Sequence, residues 1–146
     1  LITIQTETDP AFPLISSDIC TLLAKTVFHD QRVKNGEITF IFANDEMVAQ
    51  LKKEFFNVEQ LTDVIAFRLN DYSKSEVEGE IYISIPRAKE NAKFFNEPIE
   101  REIARLIIHG SLHLLNYDDQ TEKEQKQMRK MEETYLQQIK WKGLMS

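Results

Sequence analysis

Cysteine is nearly missing from this 146-residue chain, and its one copy, Cys20, has no partner for an internal disulfide. A lone thiol fits a reducing cytoplasm rather than a disulfide-stapled secreted domain. It falls within "DICTLLAKTVF", an apolar pattern of helical period, which predicts a buried and inert side chain. Long apolar runs are absent too: none approaches the roughly 18 residues that suggest a membrane span. The opening "LITIQTETDP" lacks a basic region, an apolar run and a small-residue cleavage site, so no secretory signal is expected. No methionine starts the chain, as expected of a trimmed or processed polypeptide. Positive charge is also short, with 18 Lys and Arg against 24 Asp and Glu, a net −6. That balance argues against a general nucleic-acid coating protein. It leaves room for a local basic groove, because binding depends on where charges lie.

What is present reads as one ordinary soluble domain, 42% apolar and 29% charged. A chain of this length buries roughly 68–70% of its unfolded surface and needs no staple. No repeat, low-complexity tract or linker divides it, so residues 1–146 are expected to form a single domain. "ITIQTE" alternates as a half-buried strand does, and "SSDICTLLAKTVFHDQ" is a serine-capped helix. "EITFIFAN" is rich in β-branched and aromatic residues, and Asn44 then caps a helix through "DEMVAQLKKEFF". "LTDVIAFRLND" and "EGEIYISI" are two strands joined by a polar loop. "PRAKENAKFF" and "EPIEREIARLIIHGSLHLLN" are helices with proline near their starts. "TEKEQKQMRKMEETYLQQI" opens with Thr121 and Glu124 at capping-box spacing. The order βαβαββααα predicts an α+β (α/β-like) fold, one mixed sheet of about four strands packed with about five helices.

The chemistry concentrates in "HGSLHLLNYDD", residues 109 to 119. At about 100° per residue, Ile99, Ile103, Leu106, Ile107, Gly110 and Leu114 share one apolar face. His109 and His113 lie on its edge, one turn apart, where two imidazoles can reach one cation. Asn116 tolerates the left-handed conformation that stops a helix, and the reversal after it can swing a carboxylate back. The spacing H-x3-H-x5-D therefore offers His109, His113 and Asp119 as three ligands with a fourth position for water. The plainer reading has the histidines bonded to backbone and Asp118 and Asp119 serving as turn and cap residues. The conjunction of helix edge, helix stop and carboxylate favours a metal.

The same stretch resembles the H-G-x-L-H-L-x-G-Y-D-H signature of the YbeY family, single-domain metal-dependent endoribonucleases that mature ribosomal RNA. "LTDVIAF" is similar to the family's P-T-D-V-L-S-F segment, and "GEIYISIPRAKENA" to its G-D-I-x-I-S stretch. "EREIARLIIHG" resembles the approach to the histidine helix, so the likeness covers roughly residues 36 to 140. The resemblance implies one zinc ion on three side chains, a cytoplasmic location, and ribosomal RNA, ribosomal subunits or assembly factors as partners. Neither DNA nor membrane is expected among them. Three departures stand out. Asp119 replaces the usual third histidine; a carboxylate still ligates zinc, at about 2.0–2.2 Å, but lowers the site's charge and predicts a less acidic bound water. Asn116 replaces the signature glycine. Phe56, in "LKKEFF", stands where the family's L-N-x-x-Y-R has arginine. If that arginine binds the scissile phosphate, the charge must come from elsewhere. Arg68 is one candidate, against the plainer reading of a solvated strand-end charge.

A zinc with three protein ligands acts on bound water and on a phosphoryl oxygen, which suits phosphodiester hydrolysis or assisted attack by a ribose 2′-hydroxyl. Gly110 occupies the place where an H-E-x-x-H protease carries its general base, so protease chemistry is disfavoured. Asp63 is a candidate to polarise water or orient a ligand, with a structural hydrogen bond as the commoner role. Glu102 is expected to be solvated or to sit behind the ligands. Alternating charges along "KEQKQMRK" suggest a solvated face, and Phe94 and Phe95 are expected in the core. The leading expectation is a zinc-dependent endoribonuclease in ribosomal RNA maturation and ribosome assembly. A non-catalytic assembly or RNA-binding factor with a structural metal is the rival from another class. Metal-dependent hydrolysis of some other substrate is the weaker third.

Overall fold

The computed structural model describes residues 1–145; Ser146, the last residue of the expected domain, lies outside them. Four strands and five helices follow in the anticipated order. They are β1 (Ile2–Thr8), α1 (Ser17–Asp30), β2 (Gly36–Ala43), α2 (Asp45–Phe56), β3 (Val64–Arg68), β4 (Val77–Ser84), α3 (Ile85–Phe94), α4 (Ile99–Leu114) and α5 (Glu122–Gln138).

The strands form one sheet in the order β1-β2-β4-β3. β1, β2 and β4 run parallel, with Ile4 opposite Ile38 and Phe40 opposite Ile81. β3 pairs antiparallel to β4, so the sheet is mixed, with β3 as one edge. The two neighbours in sequence, β3 and β4, are thus a hairpin, whereas β2 reaches β4 only after α2 and β3 have been threaded. Alternation of side chains splits the sheet's apolar residues between two packing layers. The main core joins Ile38, Phe40, Ile81 and Ile83 to residues of α1 and α4, among them Leu23, Phe28, Ile103 and Ile107. A smaller cluster of Ala43, Val48 and Ile65 lies with α2, bordered by Phe67 and Tyr82.

Helix boundaries follow local chemistry. Asn44 accepts from Met47 N–H at the start of α2, and Thr121 and Glu124 form the reciprocal capping box of α5. Helix α4 can approach the sheet because Gly110 has no side chain. A Cβ there would lie 2.6 Å from Cγ2 of Ile81 and 3.3 Å from Cγ2 of Val64. The close approach holds the histidine-bearing end of α4 against β3 and β4. Cys20 is buried as expected, and burial pushes its thiol far above the ordinary range.

One expectation needs correction. Phe94 and Phe95 are not core residues: Phe94 is 84% exposed, and the two rings pack edge-to-face on each other with centroids 5.2 Å apart. The buried stripe of α3 runs through Ile85, Ala88 and Ala92, and Phe94, two residues on, falls on the opposite side. The Lys and Arg residues of "KEQKQMRK" are exposed as expected, but further along α5 the pattern changes. Glu132 is only 2% exposed, on a stripe with Met128, Tyr135 and Leu136.

Candidate metal centre

His109 and His113 project from the last two turns of α4, and their Nε2 atoms stand 2.9 Å apart. The helix stops at Leu115, and Asn116 adopts the left-handed conformation with φ of 70°. Tyr117 N–H then donates back to the Leu112 carbonyl, and the Tyr117 hydroxyl donates to Gln31 of the segment after α1. These contacts fix the reversal. Asp118 stays exposed and accepts from the Asp119 N–H as a turn residue. Asp119 points inward, with Oδ2 3.4 Å from His109 Nε2 and 3.5 Å from His113 Nε2.

One donor atom from each of His109, His113 and Asp119 therefore lies within 4.8 Å of the others. Tetrahedral zinc with bonds of about 2.0–2.2 Å needs ligand atoms about 3.3–3.5 Å apart, so this donor set fits that ion in chemistry and span. The sequence-singled trio is brought together as a group.

Behind the trio runs a chain of buried polar side chains. His109 Nδ1 lies 2.5 Å from Glu132 Oε2. A carboxylate only accepts, so Nδ1 carries a proton, and in the neutral ring this leaves the Nε2 lone pair facing the centre. Arg105 donates through Nη1 to Glu132, and through Nε and Nη2 to both oxygens of Glu102. Asn91 Nδ2 bridges Glu102 and Asp63 at 3.0 Å each. The line Asp63–Asn91–Glu102–Arg105–Glu132–His109 thus ties four elements (the start of β3, α3, α4 and α5) to one imidazole. Glu102, at 4% exposure, is buried within this line rather than solvated. Burial opposes charge on Arg105, but bonds to Glu102 and Glu132 outweigh it and raise its pKa above the ordinary arginine value.

The two histidines titrate in opposite directions. Burial works against a charged His109, yet the hydrogen bonds to Asp119 and Glu132 prevail and hold it up at about 9. Burial, followed by the neighbouring His109 charge, pushes His113 below its ordinary value. The hydrogen bond from His109 keeps the Asp119 carboxyl below the usual carboxylate range, with burial opposing. In the metal-free protein a proton on His109 does what a cation would do: it places positive charge among converging acceptors.

Asp63 borders the same cleft, its Oδ2 held by Asn91 and 3.9 Å from Arg105 Nη2. Arg68 is turned to backbone: it donates to the carbonyls of Leu114, Asp71, Lys74 and Glu76, and to Asn70 Oδ1. It thereby clamps the end of α4 to the β3–β4 loop. Phe56 is 48% exposed and stacks on Phe67, with centroids 6.0 Å apart. Sequence reasoning missed Glu132 and Arg105. The available signal was a carboxylate on the same stripe as Met128, Tyr135 and Leu136, a position that needs a buried partner.

The centre opens into a cleft of about 370 Å³ between α2, β3 and the α4–α5 turn. A larger groove of about 810 Å³, lined by Phe12, Ile85, Ile99 and Met145, is mainly apolar. Among the described residues, the His109–His113–Asp119 group is the one cluster placed so that it could hold a cation, and it opens on the smaller cleft. Among the same residues, no helix is long and apolar enough to cross a membrane.

Comparison with known proteins finds similar chains. An "Endoribonuclease YbeY" of Flavobacterium psychrophilum is 39% identical over 112 residues, spanning 76% of this chain and 78% of the relative. One from Amoebophilus asiaticus is 36% identical over 128 residues, spanning 88% and 86%. The solution structure of a Thermotoga maritima protein superposes with a TM-score of 0.60 at 25% identity, covering 94% of this chain and 87% of that one. The family profile described as Endoribonuclease YbeY matches residues 4–140. The chain belongs to the Endoribonuclease YbeY family.

Proposed function

We propose that residues 1–146 form one metal-dependent hydrolase domain, a zinc-dependent endoribonuclease that cuts RNA in the maturation of ribosomal RNA. Its place of action is the cytoplasm, on ribosomal subunits or their assembly intermediates. The observation that carries this reading is the convergence of His109, His113 and Asp119 at the floor of a cleft, in a chain of an endoribonuclease family. His109 and His113 through Nε2, and Asp119 through Oδ2, would hold one ion. Such an ion lowers the pKa of a water in its open position and polarises a phosphoryl oxygen. The protein's own part is positioning. Glu132 holds the His109 proton on Nδ1 and fixes the ring, and Arg105 anchors Glu132. Asp63, tied to Asn91, orients groups at the cleft wall rather than serving as a free base. Arg68, with its donors spent on carbonyls, maintains the wall's backbone.

The test is cleavage of a structured ribosomal RNA fragment by purified protein, before and after chelation and after return of zinc. Loss and recovery of cutting are expected. Equal cleavage throughout would remove the ion from the mechanism.

One observation favours a second reading, an assembly factor with a structural metal: Phe56 puts a neutral ring where relatives of the signature carry arginine. Under it, the zinc-loaded protein binds ribosomal subunits without cutting them, and His113→Ala loses its fold. Under the first reading, that variant folds and binds but does not cut.

A further inference from the structure

A strand of RNA brings a row of negative charges into a cleft whose lining already carries Asp63, Asp118 and Asp119. Some fixed cation has to meet a phosphate there. Of the guanidinium groups nearby, Arg129 lines a separate pocket on the α5 side of His109 and Asp119, and the others are committed elsewhere. Arg105 is held by Glu102 and Glu132, Arg68 by backbone carbonyls, and Arg87 by Asp45. Among the described residues that line the cleft, the one lysine or arginine is Lys52. It makes no ion pair with any of them, whereas its neighbour Lys53 pairs with Glu59 at 3.2 Å.

Lys52 is also held in place. Its ammonium stands 4.9 Å from the centroid of the Phe56 ring, one helical turn further along α2. That ring is stacked on Phe67 of β3, which in turn meets Tyr82 of β4 edge-on at 5.8 Å. A cation over an aromatic face loses little of its charge's reach, because the ring offers a quadrupole rather than a counter-ion. The arrangement steadies the ammonium at the cleft wall while leaving its N–H donors unpaired.

We propose that Lys52, supported by Phe56, is the phosphate-contacting residue that seats the RNA backbone beside the metal centre. This rests on the nuclease reading above. The neutral ring at Phe56 then becomes part of the device: it carries the cation instead of being one. Lys52 binds substrate in the ground state and the transition state alike, so its loss should appear in KM more than in kcat.

The experiment compares zinc-loaded wild-type, Lys52→Ala, Lys52→Arg, Phe56→Ala and Lys53→Ala proteins. Binding to a 2′-O-methylated RNA oligonucleotide is followed by fluorescence anisotropy over a salt series, and cleavage kinetics on the unmodified strand. Lys52→Ala should weaken binding about tenfold, as expected for one charge-assisted contact. It should also flatten the log K against log salt slope by about 0.7, the loss of one phosphate contact on a single strand. KM should rise in step with little change in kcat. Lys52→Arg should restore both, Phe56→Ala should show a weaker form of the defect, and Lys53→Ala should match wild type. An unchanged slope and affinity for Lys52→Ala, in a set of variants that all still cut RNA, overturns the assignment and leaves the nuclease reading standing. A wild-type protein that neither binds nor cuts RNA sinks the nuclease reading, and the assignment with it.

Discussion

One side of α4 sends Ile103, Leu106, Ile107 and Leu114 into the main core, while the other carries Glu102, Arg105, His109 and His113 towards α5 and the cleft. Both sides are largely shielded from water, but different terms hold them. The apolar side is stabilised by area removed from water and by close packing, which ask only for shape and volume. The polar side places ionisable groups where each needs a named partner, because an unpaired buried charge costs several kcal/mol. The apolar side therefore sets whether α4 is present, and the polar side sets where its imidazoles point. Stability and metal affinity should separate along this line.

The largest effect expected is on the ligands themselves. If about 10–16 kcal/mol of zinc binding is shared among four ligands, one ligand is worth roughly 3 kcal/mol, or more than a hundredfold in affinity. His113→Ala should lose that much zinc affinity and most cleavage while the metal-free protein melts close to wild type. Leu106→Ala, one face away, should do the reverse: about 2–5 kcal/mol of stability lost with the zinc constant nearly intact. Calorimetric zinc titration and thermal melts of both variants read the two quantities. A His113→Ala protein that fails to fold without metal would break the separation.

Next in size is the support behind His109. Glu132→Gln keeps the shape but removes the carboxylate that accepts from Nδ1 and pairs with Arg105. Metal-site partners of this kind are worth about 10–100-fold in metal affinity. The same range is expected here, with far-ultraviolet circular dichroism unchanged. Wild-type affinity in Glu132→Gln would show that the carboxylate's charge adds nothing beyond an acceptor for Nδ1–H.

The comparison also explains what could be read in the sequence. Elements were legible where a local rule acts alone: the β-branched run "EITFIFA" of β2, the Asn44 cap, the Thr121–Glu124 box, the left-handed Asn116. The trio was legible for the same reason, since positions i and i+4 on a helix fix two ligands and a short reversal delivers the third. The insertion of β4 between β2 and β3 is a tertiary choice that no local pattern states. Glu132 was obscured because, on α5, it is one of many alternating charges until the helix is docked. Its stripe-mates Met128 and Tyr135 mark it only once their burial is taken as given. Phe94 and Phe95 failed in the opposite way: hydrophobicity suggested burial, but their angle on α3 turns Phe94 to water.

The smallest effect is graded by pH. In the metal-free protein His109 is held at about 9, above its unfolded value near 6.5. The stability this contributes is fully present below about pH 6.5 and is lost as pH rises through about 9. Metal needs the opposite state, a bare Nε2, so zinc must displace that proton. Affinity should climb about tenfold for each pH unit between roughly 7 and 8, and uptake at pH 7 should release about one proton. Titrations in buffers of different ionisation enthalpy measure the release directly. Glu132→Gln keeps an acceptor for Nδ1–H but removes the negative charge that helps hold His109 protonated, so its affinity should rise less steeply over the same range. Parallel pH profiles for the two proteins would mean that Asp119 alone retains the proton, and the buried line from Glu102 to Glu132 would then serve packing rather than charge.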